Sequence, residues 1–169
     1  MPLRRAAVLV ALGLAACDSG SGSPTAPTSR PPRGVSFLAG QVGDESIGLR
    51  GTVLGAALEV EIYAAGVQDL YGLGFELLFP ANLLRYEGVD DGAFPSLEAQ
   101  ESASGQLVVG ATHLGSVEGL NGGGTVAIVR FTAFANGSGS LDFSSQEAFD
   151  RFGDRLALSW VGGSVEVDL

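Results

Sequence analysis

Side chains able to do covalent or acid–base chemistry are few in this chain, and their placement restricts what they can do. Cys17 is the only cysteine, His113 is the only histidine, and lysine does not occur. A thiol can serve as nucleophile, as metal ligand or as half of a disulfide. A single thiol excludes an intramolecular disulfide, and no Cys/His pattern has zinc-ligand spacing. Without lysine, P-loop phosphate binding and lysine nucleophiles are excluded. A serine triad would have to be built on His113, yet no G-x-S-x-G stretch accompanies it, and a lone histidine near a strand end reads as a surface residue. The adjacent carboxylates Asp44-Glu45 and Asp90-Asp91 sit too close together in sequence to straddle a sugar, so they read as solvated loop charges. The triple glycine 122–124 leads into a strand rather than a helix, lacks the helix dipole of a phosphate cradle, and reads as a turn. No EF-hand spacing is present. The expectation is a protein without catalytic residues, without a cofactor and without a metal site.

The surroundings of Cys17 assign the thiol a different task. Arg4-Arg5, the apolar run Ala6 to Leu14 and the small pair Ala15-Ala16 have the order of a secretory signal. The run is shorter than the roughly 20 residues a helix needs to span hydrocarbon. Leu14-Ala15-Ala16-Cys17 resembles the bacterial lipobox, which implies cleavage between Ala16 and Cys17 and acylation of the cysteine. Each buried methylene contributes about 0.8 kcal/mol, so two or three chains hold a protein on a membrane where one does not. The expected address is the bacterial cell envelope, reached by export and held through lipid alone, with the choice of inner or outer membrane open.

Three segments follow from composition: a signal peptide at 1–16, a linker at 17–34 beginning with the lipidated cysteine, and one domain at 35–169. The linker carries Pro24, Pro27, Pro31 and Pro32 and no large apolar side chain, so it cannot offset the entropy of ordering and acts as a spacer. The chain has 9 basic residues, all arginine, against 19 acidic ones, for a net charge of −10. That balance excludes binding by phosphate neutralisation, and hence nucleic-acid partners.

From Val35 onward, short strands alternate with glycine-containing breaks. Apolar residues recur with period two at Leu58, Val60 and Ile62, at Leu73, Phe75, Leu77 and Phe79, at Leu107, Val109 and Ala111, and at Ala127, Val129, Phe131 and Ala133. Further strands are predicted at 35–39, 83–89, 140–143, 156–161 and 164–167. Gly66, Asp90-Asp91-Gly92, the 122–124 glycines and Asn136-Gly137 are expected to be turns. One short helix is predicted over 145–152, capped by Ser145 and ended by Gly153. The fold class is all-β: a nine-stranded antiparallel β-sandwich of jelly-roll type.

Three stretches carry a family resemblance. The run from Val67 to Phe79, followed by Leu83 to Val89 and Gly92, is similar to the early core of cohesin domains. The stretch from Gly123 to Ala133 is similar to that family's glycine-led strand with a Phe-x-Ala ending, and Leu141 to Val167 resembles its tail. Phe79-Pro80-Ala81 replaces the Tyr-Asp-Pro of many cohesins and keeps the bend without the acid. The resemblance implies a nine-stranded jelly roll that binds dockerin modules through one sheet face.

Strand parity supplies candidates for that face. With Leu73, Phe75, Leu77 and Phe79 inward, Glu76 and Leu78 point outward, as do Val108, Ile128, Arg130 and Thr132. By the resemblance their strands would be neighbours, giving an apolar centre of Leu78, Val108 and Ile128 with Glu76, Arg130 and Thr132 as a polar rim. The expected function is a membrane-tethered, non-catalytic binding module with a dockerin-bearing protein as partner. A carbohydrate-binding module with a polysaccharide partner is the alternative, although Trp160, Tyr63, Tyr71 and Tyr86 fall on different strands and form no evident platform. A structural envelope lipoprotein that meets its own copies is the second alternative.

Overall fold

The computed structural model describes residues 34–169. Ala16, Cys17 and the rest of the expected signal peptide and linker up to residue 33 lie outside the described residues. Eleven strands follow in chain order: β1 (Gly34–Ala39), β2 (Ser46–Leu54), β3 (Ala57–Leu70), β4 (Gly72–Leu78), β5 (Leu84–Asp91), β6 (Ser96–Ala103), β7 (Gln106–Thr112), β8 (Leu120–Ala133), β9 (Gly137–Phe149), β10 (Ser159–Val161) and β11 (Gly163–Asp168). They form a six-stranded sheet, β1-β11-β9-β4-β7-β6, and a five-stranded sheet, β10-β2-β3-β8-β5. The chain crosses repeatedly between the sheets, as in a jelly roll. All pairings are antiparallel except β10 with β2.

The two-sheet sandwich is the architecture that period-two alternation implies, with β2 and β6 as strands beyond the nine expected. In β2 the alternation of Ile47, Leu49 and Val53 is broken by Gly48 and Gly51. In β6 only Leu97 and Ala99 turn apolar side chains toward the interior, as suits an edge strand. Neither pattern stands out against a glycine-rich background.

Inward positions fill one shared core. Leu58, Val60 and Ile62 of β3, Leu73, Phe75 and Leu77 of β4, Leu107 and Val109 of β7 and Val129 and Phe131 of β8 are all buried. Each such side chain contributes about 1.5–3 kcal/mol by leaving water. Aromatic rings join the layers. Phe75, Phe143 and Trp160 meet at 5.2–5.6 Å between centroids, and Phe79 packs on Phe131 at 5.0 Å. Trp160 is carried by the short β10, after which Gly162 and β11 return the chain to the other sheet.

Three local expectations are corrected. No helix forms over 145–152: β9 runs on to Phe149, and Ser145, at φ 50°, is an irregularity in its pairing with β4 rather than a cap. A stretch of eight residues cannot offset helix nucleation when β4 offers a hydrogen-bonding edge. The Asp150 carboxylate instead shapes a tight turn by accepting from the Phe152 and Asp154 amides, at 2.8 and 2.9 Å. Gly66 and the glycines 122–124 are likewise not turns. They lie inside β3 and β8, where the pairing shifts register between Ala64 and Val67 and where Gly66 (φ 61°) and Gly122 (φ 85°) take left-handed conformations. Glycine there bends a strand pair without ending it.

Gly92 follows the end of β5 at a place where only glycine fits. A β-carbon at this position would lie 2.1 Å from the Thr125 carbonyl oxygen and 2.6 Å from that of Val126. Chemical denaturation should therefore show Gly92→Ala to be destabilised, although alanine is otherwise the better strand residue. Phe131→Ala should lose about 3–5 kcal/mol through the cavity it leaves. A wild-type midpoint for Gly92→Ala would contradict the close approach.

Candidate functional site on the outer face of the six-stranded sheet

Strand parity sends Glu76, Leu78, Val108, Ile128, Arg130 and Thr132 outward, and none of them lies in the buried core. They do not share a face. β4 pairs with β7, placing Glu76 directly opposite Val108 on the six-stranded sheet. β8 pairs with β3 and β5, so Ile128, Arg130 and Thr132 belong to the five-stranded sheet and look out from the opposite side of the sandwich. Parity is a local property of each strand, whereas sheet membership depends on long-range pairing. The proposed single patch of six residues is corrected to two separate trios.

The trio on the five-stranded sheet lies in a surface where acidic and basic side chains are interspersed. Arg130 forms an ion pair with Asp90, and Arg50 approaches Glu61 at 3.8 Å while its guanidinium lies 3.5 Å above the Tyr63 ring. The Thr125 hydroxyl donates to Glu61. Ile128 is half-buried between the partners Glu61 and Asp90. Such a lattice of alternating charge suits a solvated face.

The other trio lies in a different setting. Leu78 and Val108 are 39% and 41% exposed and form an apolar step beside Glu76. Around them, register places Gln106 opposite Leu78, Gln100 opposite Val108, Gly74 opposite Gly110, Glu98 beside Gly110, and Glu147 beside Gly74. The Ser144 hydroxyl donates to the Glu76 carboxylate at 2.9 Å. That bond, with further hydrogen bonds from Gln106 and Ser145, holds the Glu76 carboxyl below the usual glutamate range against a weaker opposing effect of desolvation. Gly74, Gly110, Glu98 and Glu147 were not among the residues singled out in the sequence. Glycines read there as strand breakers, and only the cross-strand register shows them in one row.

The remaining chemistry-bearing residues are accounted for structurally. His113 is not a surface residue: it is half-buried, with its ring 4.8 Å from Phe94 and 5.7 Å from Tyr71, and its Nε2 has no hydrogen-bond partner. Among the described residues no hydroxyl makes a hydrogen bond to its ring. Trp160 is packed against Phe75 and Phe143, Tyr86 lies against Phe131 and Tyr63 lies under Arg50, so these rings build no flat sugar platform. Among the described residues no cluster of three or more His, Cys, Asp or Glu side chains is placed to hold a metal ion. Asp69 fastens the loop between β7 and β8, accepting from the Gly119 amide at 2.8 Å and from Arg151 Nε at 2.9 Å.

Comparison with solved structures gives the sandwich a setting. The chain is similar to a non-cellulosomal cohesin from the archaeon Archaeoglobus fulgidus, with 18% identity, a TM-score of 0.58, and coverage of 78% of this chain and 88% of that one. It is similar to a type II cohesin domain from the cellulosome of Acetivibrio cellulolyticus, with 16% identity, a TM-score of 0.62, and coverage of 75% and 96%. A third likeness is to the cohesin–dockerin complex Coh-OlpA-Doc918 of Clostridium thermocellum, with 15% identity, a TM-score of 0.61, and coverage of 80% and 99%. No protein-family model and no curated protein matches the chain. The fold is cohesin-like.

The Glu76 environment can be tested by titration. Because its folded midpoint is depressed, the stabilisation from its hydrogen bonds is fully present above the ordinary glutamate range. It is lost as pH falls through the lower, folded midpoint. In Ser144→Ala, carboxyl-carbon NMR should show the Glu76 midpoint move upward toward that ordinary range. An unmoved midpoint would show that Ser144 is not the principal cause.

Proposed function

We propose that the chain is a non-catalytic, envelope-tethered protein-binding module that docks a dockerin-type partner on the outer face of its six-stranded sheet. The observation that carries this reading is the exposed pair Leu78 and Val108, set on a broad sheet face that no other element of the described chain covers. An apolar centre within a polar surround is the usual anatomy of a protein interface. The cohesin-like fold supports a protein partner, since several similar structures are complexes with dockerins. A polysaccharide partner finds less support, because Trp160 and Tyr86 pack against core rings and Tyr63 lies under Arg50. A role confined to contacts between copies of the chain has no observation in its favour.

The tether rests on the sequence. Acylation at Cys17 after cleavage behind Ala16 would place the module on an envelope membrane, with the proline-rich linker as spacer; at about 3.1 Å per residue in extended form, that linker reaches roughly 50 Å. Metabolic labelling with a fatty-acid analogue should mark the full chain and leave Cys17→Ala unmarked. Label on both forms, or on neither, would remove the anchor.

For the docking face, the full chain should be titrated against a panel of dockerin modules, with insoluble polysaccharides in parallel. At least one dockerin should bind. Leu78→Asp with Val108→Asp should weaken that complex by about a hundredfold or more, as expected for charge placed in an interface centre. Ile128→Asp, on the opposite face, should leave it unchanged. Equal loss from both changes, or binding to polysaccharide alone, would overturn the assignment.

A further inference from the structure

The two outer faces differ in how they handle charge, and the difference specifies a partner. On the five-stranded sheet Arg50, Arg85 and Arg130 stand among Glu59, Glu61 and Asp90, and ion pairs join Arg50 to Glu61 and Arg130 to Asp90. On the six-stranded sheet the outward carboxylates are Glu76, Glu98, Asp142, Glu147 and Glu166. Among the described residues only Glu147 has an ion-pair partner there, Arg155. An apolar step at Leu78 and Val108 therefore sits among carboxylates that, apart from Glu147, have no ion-pair partner among the described residues. Like charges gathered on one face raise the free energy of the isolated molecule and lower it again when a cationic surface arrives.

The row Glu98, Gly110, Gly74, Glu147 gives this face a shape. Its members are successive cross-strand neighbours on β6, β7, β4 and β9, so the two glutamates stand about 14 Å apart across a shelf of bare backbone. Neither glycine is required by the fold. Both have ordinary extended backbone, a β-carbon at Gly110 would meet nothing within 4 Å, and one at Gly74 would meet only the Val109 carbonyl oxygen at 3.8 Å. Glycine in a strand interior costs roughly 0.5–1 kcal/mol relative to alanine. The chain's own Arg155 already shows how a cation is received here, its guanidinium paired with Glu147 and 6.0 Å from the Phe149 ring.

We infer that the partner segment seated on this face is basic, that it lays an arginine or lysine side chain along the Gly74–Gly110 shelf toward Glu98, and that separate apolar residues of the same segment cover Val108 and Leu78. This rests on the reading that the six-stranded sheet is the docking face, and it adds the chemistry of what docks. A long cationic stem matches the site, since its methylenes cover apolar surface while its head reaches a carboxylate.

The test uses the full chain, with decalysine and oligoglutamate as probes and amide NMR as the readout. Decalysine should shift the amides of Gly74, Gly110, Val108 and Glu98, more strongly at low salt than at about 0.15 M, where the screening length falls to about 8 Å. Oligoglutamate should shift none of them. Gly110→Val, which the open space above the shelf accommodates, should keep the wild-type thermal midpoint or raise it. It should weaken decalysine binding at the shelf by about tenfold, as should Glu98→Gln. Shifts spread evenly over acidic residues elsewhere, such as Asp150 and Asp154, or a Gly110→Val form that binds like wild type, would overturn the inference. If a dockerin binds this face while decalysine does not, docking stands and the basic character of the partner fails. If decalysine seats on the shelf while no dockerin binds, cation recognition stands and the dockerin reading fails.

Discussion

Burial of one apolar face from each of two sheets is the constraint on which the rest of this molecule depends. With a single cysteine the chain can form no internal disulfide, and its described part holds no cluster suited to a metal. Cohesion therefore comes from inward side chains such as Phe75, Leu77, Leu107, Val129 and Phe131, tied together by rings that reach across the layers. Alternation along each strand then leaves every second residue pointing outward. Functional chemistry is confined to those outward positions and to the loops, because an inward position given to recognition would leave a gap in the core.

The outward positions of the two sheets have been put to different uses. On the five-stranded sheet, arginines and carboxylates stand among one another, and ion pairs tie Arg50 and Arg130 to neighbouring carboxylates. On the six-stranded sheet the carboxylates lie beside exposed Leu78 and Val108, and hydrogen bonds to Glu76 favour its ionised form. The same residue types thus give interspersed charge on one side of the sandwich and, on the other, carboxylates around an exposed apolar pair. The distinction lies in which charges find partners, and it is invisible in net charge or composition.

Much of this was legible in the amino-acid sequence, up to a definite physical limit. Period-two alternation reveals inward and outward sets within a strand, so the core positions and the outward direction of Glu76, Leu78, Val108, Ile128, Arg130 and Thr132 follow from it. Which strands lie side by side is fixed by pairing over long sequence separations, and no local pattern reports it. That is why Val108 and Ile128, similar in character, belong to opposite faces. Glycine was the other source of error. It marks a steric stop at Gly92, a bend within a strand pair at Gly66 and Gly122, and bare backbone at Gly74 and Gly110; these roles look identical in one dimension and are separated only by φ and by the space above each α-carbon. The 145–152 segment adds a related lesson, since its helical spacing yields to the hydrogen bonds that β4 supplies.

Hydrogen–deuterium exchange on the full chain with a dockerin bound would locate the contact surface without altering any residue. Docking on the six-stranded sheet requires slowed exchange over β4, β6 and β7, with β3 and β8 unchanged from the free protein. Protection over β3 and β8, with β6 and β7 unaffected, would contradict it.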